Sequence, residues 1–405
     1  MSECLDVIRN EWIKLLRRKR FLVVLLLGLG IAAFFLAVEY KHAKQLSLYN
    51  SPDYQRQQLE RWIQDTERAL ADDKKLAGAE RQAMEESVQS MKKELEELEQ
   101  HSGVPAPFDE EKAKSRVAGL KESLASLPPE HKNSRGSLEI ELMKAEYLLD
   151  NRVAVNDKRF GEGMTMWRAM KDFMEIGPLL FIPMLCVLLV SDIISGEMTA
   201  GTVKLLLIRP VSRGRIYLGK FLTSITASVV VVTILLAVIA GFSYVLFGAD
   251  GADNPEAVGV SYYKAQEMME GRMTEVTVVD PSDAHIVSAG TYFLVSLLLT
   301  VLATVVMTGL GFFASVLVRS AAVSTGLAMS VVVMGLAIQG TARGMGFLKG
   351  LATTHFNLGR VWSGEVYQSF GVSTTLPESL LILLAWSAGM YLLGYVLFTR
   401  RDILA

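Results

Sequence analysis

The sequence predicts an all-α polytopic membrane protein with six transmembrane helices and an extracellular helical, coiled-coil-like insertion between the first two. Three observations carry this class. The 405 residues are 51% hydrophobic and 21% charged, but the charges are sorted into blocks instead of being mixed along the chain. Six windows contain no Asp, Glu, Lys or Arg: Phe21 to Val38, Ile176 to Ser191, Phe221 to Ala249, Ala284 to Val318, Ser320 to Ala342 and Ser379 to Thr399. A helix needs roughly 20 apolar residues to cross about 30 Å of hydrocarbon, and one Lys or Asp at its centre costs about 2.5–3.5 kcal/mol. Alternation of strand type is nearly absent, with Thr274 to Val279 the weak exception.

Residues 1–20 form the first element. Leu5, Ile8, Trp12, Leu15 and Leu16 recur at helical spacing, with Glu11, Lys14 and Arg18 elsewhere on the wheel. A Trp beside a basic cluster suits a helix lying in the interface plane, anchored by Trp12, Lys14, Arg17 and Arg18. Residues 21–38 are the first span. Basic residues precede it as in a signal peptide, but Ala37-Val38-Glu39 is a poor cleavage site, so the segment is read as retained. Residues 39–172 then make a helical domain. Met84, Val88, Met91, Leu95 and Leu98 alternate spacings of four and three, as a heptad seam does. Leu59, Trp62, Ile63 and Leu70 extend the pattern upstream. Val117, Leu120, Leu124 and Leu127, then Leu138, Leu142, Ala145 and Leu149, make further stripes divided by Pro128-Pro129. A bundle of about three helices is expected.

The second span, residues 173–191, has the shortest charge-free window and borrows Phe173 and Met174 for length. Residues 192–216 are a polar loop, 217–248 the third span, 249–284 an acidic loop, and 285–318 and 320–341 the fourth and fifth spans. Residues 342–377 form a loop too apolar around Gly344 to Phe356 for full exposure; 378–399 are the sixth span and 400–405 the tail. A re-entrant or interfacial helix is expected in that last loop, where protein or water must satisfy its backbone. Basic residues set the orientation. Lys14, Arg17 to Arg20, the 192–216 loop, Arg319 and Arg400-Arg401 fall on one side. This predicts a multi-pass protein of the plasma membrane with both termini cytoplasmic. Arg343, Lys349 and Arg360 run against the bias and are outvoted.

Catalysis needs convergent polar groups, and the sequence offers few. The five histidines are scattered, and no HExxH, CxxC or paired metal spacing exists. Cys4 and Cys186 lie before the first span and inside the second, so no structural disulfide is expected. Gly214 to Lys220 imitates the opening of a P-loop, but Phe221 stands where Ser or Thr must hold magnesium. The chain is therefore read as not an enzyme, binding no cofactor, metal or nucleic acid itself.

The segment SDIISGEMTAGTVKLLLIRPVSRGRIYLGKF, Ser191 to Phe221, is a polar island between two spans. Together with Glu11-Trp12-x-Lys14-Leu15 ahead of a basic cluster, it resembles the loop of ABC-2 type transporter permeases. The matching residues are Gly196, Glu197, Gly201, Thr202, Leu205, Leu206, Leu207, Pro210, Arg213 and Lys220. The six-span plan agrees, whereas the long insertion after the first span departs from the shortest members. The resemblance implies a permease subunit of an ABC exporter that works with a second copy, as a homodimer, or with a paired permease in the lipid bilayer. It also implies cytoplasmic ABC ATPase subunits, holding ATP and magnesium, docked on Ser195, Gly196, Glu197, Gly201, Thr202, Lys204, Leu205, Pro210 and Arg213. Ser195 suits a helix N-cap, with Glu197 in the first turn and Lys204 further along, as the helix dipole favours. Arg215 and Lys220 are read as plain basic residues at phosphate level. Spans lined by Ser, Thr, Met and aromatics suit an amphipathic or hydrophobic cargo such as a peptide, lipid or drug. The rival reading is an ATP-linked membrane sensor or mechanotransducer whose outer helical domain binds a ligand while nothing is transported.

Overall fold

The computed structural model describes residues 2–17, 19–72, 78–100, 108–129, 131–154, 163–202, 211–269 and 272–400. Helix α1 (Ser2–Arg17) leads to α2 (Lys19–Tyr49), then to α3 (Pro52–Asp72), α4 (Gly78–Gln100), α5 (Glu110–Ser126) and α6 (Lys132–Asp150). A broken helix follows as α7 (Met166–Ile176), a π turn (Gly177–Phe181), α8 (Ile182–Val190) and α9 (Ser195–Thr199). After α10 (Arg213–Phe247) come strands β1 (Pro255–Val258), β2 (Ser261–Met269), β3 (Arg272–Asp280) and β4 (His285–Ser288). The remainder is α11 (Ala289–Leu317), α12 (Ala321–Thr341), two 3₁₀ turns, α13 (Leu358–Ser363), α14 (Val366–Phe370) and α15 (Leu376–Arg400).

Among the described residues, six helical stretches are long and apolar enough to cross a membrane: Lys19–Tyr49, Met166–Thr199, Arg213–Phe247, Ala289–Leu317, Ala321–Thr341 and Leu376–Arg400. The spans overrun the charge-free windows because helices continue into the polar margins. Span 3, for example, starts four residues before 217, where the Ser212 side chain accepts from the Arg215 amide and caps it. Span 2 is the most enclosed, with 61% of its apolar window buried against 17% for span 6. Its Ile182, Leu185 and Val190 pack with Val231, Leu235 and Ile239 of span 3 and Met307 of span 4. Span 4 comes close at Gly311, where a Cβ would stand 2.8 Å from Val190 Cγ2. Outward-facing Leu26, Phe34, Leu298 and Leu393 have no such partners, as lipid contact requires.

Span 2 departs from α-helical bonding for an identifiable reason. Pro178 has no amide hydrogen, so the Met174 carbonyl loses its helical partner. Asn357, from the segment before α13, donates Nδ2 to that oxygen at 2.6 Å and to the Glu175 carbonyl at 3.2 Å. The π turn Gly177–Phe181 begins there, and a Cβ on Gly177 would meet the Phe173 ring at 2.7 Å.

The expected all-α class needs one correction. Residues 255–288 contain two antiparallel pairs, β1 with β4 and β2 with β3. The weak Thr274 to Val279 alternation lies within β3; the other three strands are short or charged enough to hide the period of two. Between spans 1 and 2, where a bundle of about three helices is expected, the described residues form two helical pairs, α3 with α4 and α5 with α6. Leu59 and Ile63 of α3 are buried like Val88 of α4, and Lys92 bonds Glu67 across the pair at 2.7 Å. In the second pair, Lys121 of α5 bonds Glu146 of α6 at 2.8 Å. Gly136 lets α6 lie directly on β3, since a Cβ there would collide with the Val279 carbonyl. The Leu98 side chain of the predicted seam lies outside the described residues. The apolar 342–377 segment folds over Leu348, Val361, Val366 and Val372, all buried, which accounts for its composition.

Candidate functional site

The described residues of the polar island, 191–202 and 211–221, are assembled at the end of the bundle that carries α1. Helix α1 turns Glu11 and Leu15 inward, 4% and 7% exposed, against the start of α10. Trp12 fixes the contact, its Nε1 donating to Thr226 Oγ1 at 3.1 Å. Lys220, eight positions into α10, is fully buried, as charged side chains are only when paired. Its partners are Glu11 Oε2 at 2.8 Å and Glu197 Oε1 at 2.9 Å. Lys14 Nζ closes the ring, 2.7 Å from Glu11 Oε1 and 3.0 Å from Glu197 Oε1. Two ammonium groups and two carboxylates thus form a neutral quartet joining α1, α9 and α10.

Electrostatics follow from that alternation. Burial pushes the Glu11 carboxyl upward, but Lys220 and then Lys14 outweigh it and hold it below the usual carboxylate range. Burial would likewise lower Lys14, yet its bonds to Glu11 and Glu197 leave it above the ordinary lysine value. Both shifts favour the charged forms of Glu11 and Lys14.

A second set of bonds bolts the elbow of span 2 to its neighbours. Arg20 pairs with Asp192 at 2.6 Å, donates Nε to the Leu188 carbonyl at 2.6 Å, and reaches Ser191 Oγ and Thr325 Oγ1 at 3.1 and 3.0 Å. Ser315 of span 4 accepts the amides of Ile194 and Ser195 at 2.9 and 3.0 Å, satisfying two orphan donors at the start of α9. Thr199 Oγ1 donates to the Arg319 carbonyl at 3.1 Å and accepts the Ala321 amide at 3.2 Å. What remains outside is a short tip: Thr199, Ala200, Gly201 and Thr202 are exposed. Gly201 takes φ +70°, a left-handed conformation that ends the helix at little cost.

The expected docking residues therefore separate into groups. Ser195 and Glu197 are buried and face the bundle, with Gly196 partly covered beside Asp192. This corrects their expected place on an outer surface: carboxylate and hydroxyl alike are consumed by internal bonds. Gly201 and Thr202 are at the tip. Arg213 is half-buried, donating Nη1 to the Thr399 carbonyl at the end of span 6. Lys204, Leu205 and Pro210 lie outside the described residues; the described part of the predicted element 192–216 holds the five-residue α9 and the first four residues of α10. Among the predicted anchors, Trp12 and Lys14 face the protein, Arg17 is exposed, and Arg18 is outside the described residues. Lys220, expected at phosphate level, is instead the most buried member of the quartet. In the sequence Glu11 stands out only within Glu11-Trp12-x-Lys14-Leu15. The available signal was scarcity: a Lys beginning a charge-free run demands an acid, and few acids precede span 1 or sit in the loop.

Among the described residues, no group of three His, Cys, Asp or Glu is placed to hold a metal. The quartet ties α9, which carries the tip, to α1 and α10. On the opposite side a cavity of about 600 Å³ separates α5 and α6 from α7 and β1, lined by Arg116, Glu141, Lys144, Arg168, Asp172 and Glu256 among others. Ala154 and Thr165 in its wall bracket residues 155–162, which lie outside the described set.

A comparison with curated proteins finds no significant match. The sequence model described as ABC-2 family transporter protein matches residues 5–403. With six spans and that match over nearly its whole length, the chain belongs to the ABC-2 transporter family, a family of membrane transport components.

Proposed function

We propose that this chain is the permease subunit of an exporter for an amphipathic or hydrophobic substrate (a peptide, lipid or drug), driven by separate cytoplasmic ABC ATPase subunits that hold the ATP and magnesium. Those subunits dock on the tip Thr199 to Thr202 and the residues that follow it, and the permease acts with a second copy or a paired permease. The inside-positive distribution of basic residues supports cytoplasmic termini in the plasma membrane.

The observation that carries this reading is the quartet. The exposed tip is one turn from Glu197, and Glu197 is held by Lys220 and Lys14. Force applied to the tip therefore moves span 3 and α1 together.

The test co-expresses the chain with its ATPase subunit and introduces Ala200→Glu and Thr202→Glu. Both positions are exposed, and Gly201 between them keeps its left-handed turn, so the fold survives while docking fails. Co-purification and cargo-stimulated hydrolysis should both fall by more than about tenfold, since a hot-spot loss of about 1.4 kcal/mol or more has that effect. Unchanged co-purification would remove the tip from the docking surface. Coupled hydrolysis without cargo movement in vesicles would favour a transducer over an exporter.

A further inference from the structure

Helix α1 has a surface that the quartet does not use. At about 100° per residue, Leu5, Ile13 and Leu16 fall on the flank away from Glu11 and Leu15. They are 61%, 42% and 57% exposed. Arg9 lies among these apolar residues and Asp6 and Arg17 on the adjoining flank, all exposed, and exposed Lys19 follows at the start of α2. One side of the helix thus packs on protein, and the other mixes exposed apolar residues with cations, as a helix at an interface does. Span 1, which follows α1 in the chain, exposes Leu22, Val23, Leu26 and Leu27 along its lipid-facing side.

We propose that this face of α1 docks on anionic phospholipid at the bilayer surface, and that the lipid charge thereby controls the order of the docking tip. The lipid-facing side of span 1, next in the chain, identifies the occupant of the exposed apolar residues as acyl chain. Three cations against one acid identify the headgroup as anionic. The link to the tip is the quartet, because the same helix supplies Glu11 and Lys14 to the network that holds Glu197. The regulatory meaning rests on the docking function proposed above; lipid binding and tip ordering do not.

A net gain of two cations near an anionic surface, at roughly fivefold each, gives about a 25-fold preference over a neutral surface. The experiment reconstitutes the full chain in phosphatidylcholine vesicles, with or without about a third phosphatidylglycerol, and follows amide hydrogen exchange. Residues 5–17 and 195–202 should both exchange on the order of tenfold more slowly with phosphatidylglycerol at low salt, and high salt should erase most of the difference.

The triple variant Arg9→Gln, Arg17→Gln, Lys19→Gln leaves the quartet intact and should lose the response while keeping the exchange seen in phosphatidylcholine. Soluble glycerol phosphate added to neutral vesicles should have no effect, which separates a lipid surface from a free phosphate. Identical exchange in both vesicles, or a full response in the triple variant, would overturn the proposal. Protection confined to residues 5–17 would overturn control of the tip. None of these readouts involves the ATPase, so failure of the docking reading shows only in the co-purification test.

Discussion

Removing one member of the quartet should cost far more than removing two of opposite sign. Lys220 and Glu11 have side chains 1% and 4% exposed and lie 2.8 Å apart. Lys220→Met leaves Glu11 and Glu197 sharing Lys14, a buried net charge of minus one. Glu11→Gln leaves the opposite imbalance. Stripping a buried pair of one partner costs about 3–5 kcal/mol, largely the desolvated charge left behind. The double variant keeps Lys14 with Glu197 at 3.0 Å, a neutral remainder, and should cost at least about 2 kcal/mol less than the two single losses added together.

Cys186, 1% exposed in the core of span 2, is a built-in reporter of unfolding when Cys4 is replaced by Ser. The rate of dye attachment at Cys186 on heating in nanodiscs reads the four proteins of the cycle. Single losses below about 1 kcal/mol, or strict additivity, would refute the claim that these charges act as one buried unit. Acid supplies a second arm. Glu11 is depressed in the folded state, so its contribution is complete above the ordinary carboxylate pKa of about 4.3 and is lost as pH falls through the depressed value. The stability gap between wild type and Glu11→Gln should close over that interval.

Asn357→Leu should cost about 1–3 kcal/mol by orphaning the Met174 carbonyl, and Pro178→Ala should recover part of it by returning an amide hydrogen; the same labelling assay reads both. His355 is buried and donates Nε2–H to the Lys349 carbonyl at 2.8 Å, so Nδ1 accepts from Ser379 Oγ, also at 2.8 Å. Burial holds its pKa below the ordinary value; its contribution is therefore complete above about pH 6.5 and is lost as pH falls through the depressed value, and His355→Gln should flatten that part of the stability profile. Gly364 combines φ +86° with a Cβ direction blocked by the Val260 carbonyl, so Gly364→Ala should destabilise by more than about 2 kcal/mol and free β1 and β2, measured as faster amide exchange over residues 255–269.

The spans were legible because insertion is decided residue by residue: a charge inside Phe221 to Ala249 would be costly whatever the rest of the chain did. The strands were nearly illegible because β2 reads Ser-Tyr-Tyr-Lys-Ala-Gln-Glu-Met-Met, with only its pairing to β3 to favour extension. The π turn in span 2 was half-written. Pro178 announces a missing bond, but the Asn357 that repairs it lies at a sequence separation of 183 from Met174. The candidate site failed to show for the same reason. Glu197 in a basic loop looks like a solvent-facing carboxylate, and only the approach of Lys220 and Lys14 from two other helices makes its burial tolerable.

That distinction changes where the work of the proposed cycle is done. A surface carboxylate at position 197 would be a handle, and its removal would weaken docking alone. A carboxylate bonded to Lys220 and Lys14 is a joint, and its removal loosens α1 and span 3 whether or not a motor is attached. The elbow itself is too well tied to absorb movement, since Arg20, Ser315 and Thr199 bind it to spans 1, 4 and 5. Displacement applied at the tip must then travel along span 2 to the first place where the helical hydrogen bonds already depart from regularity. That place is the π turn Gly177–Phe181, where a single side chain, Asn357, holds the free carbonyl. On the proposed function, the quartet grips and the π turn yields. Charge-neutral replacement of the quartet should therefore uncouple hydrolysis from transport even when docking persists, whereas a handle would lose both together.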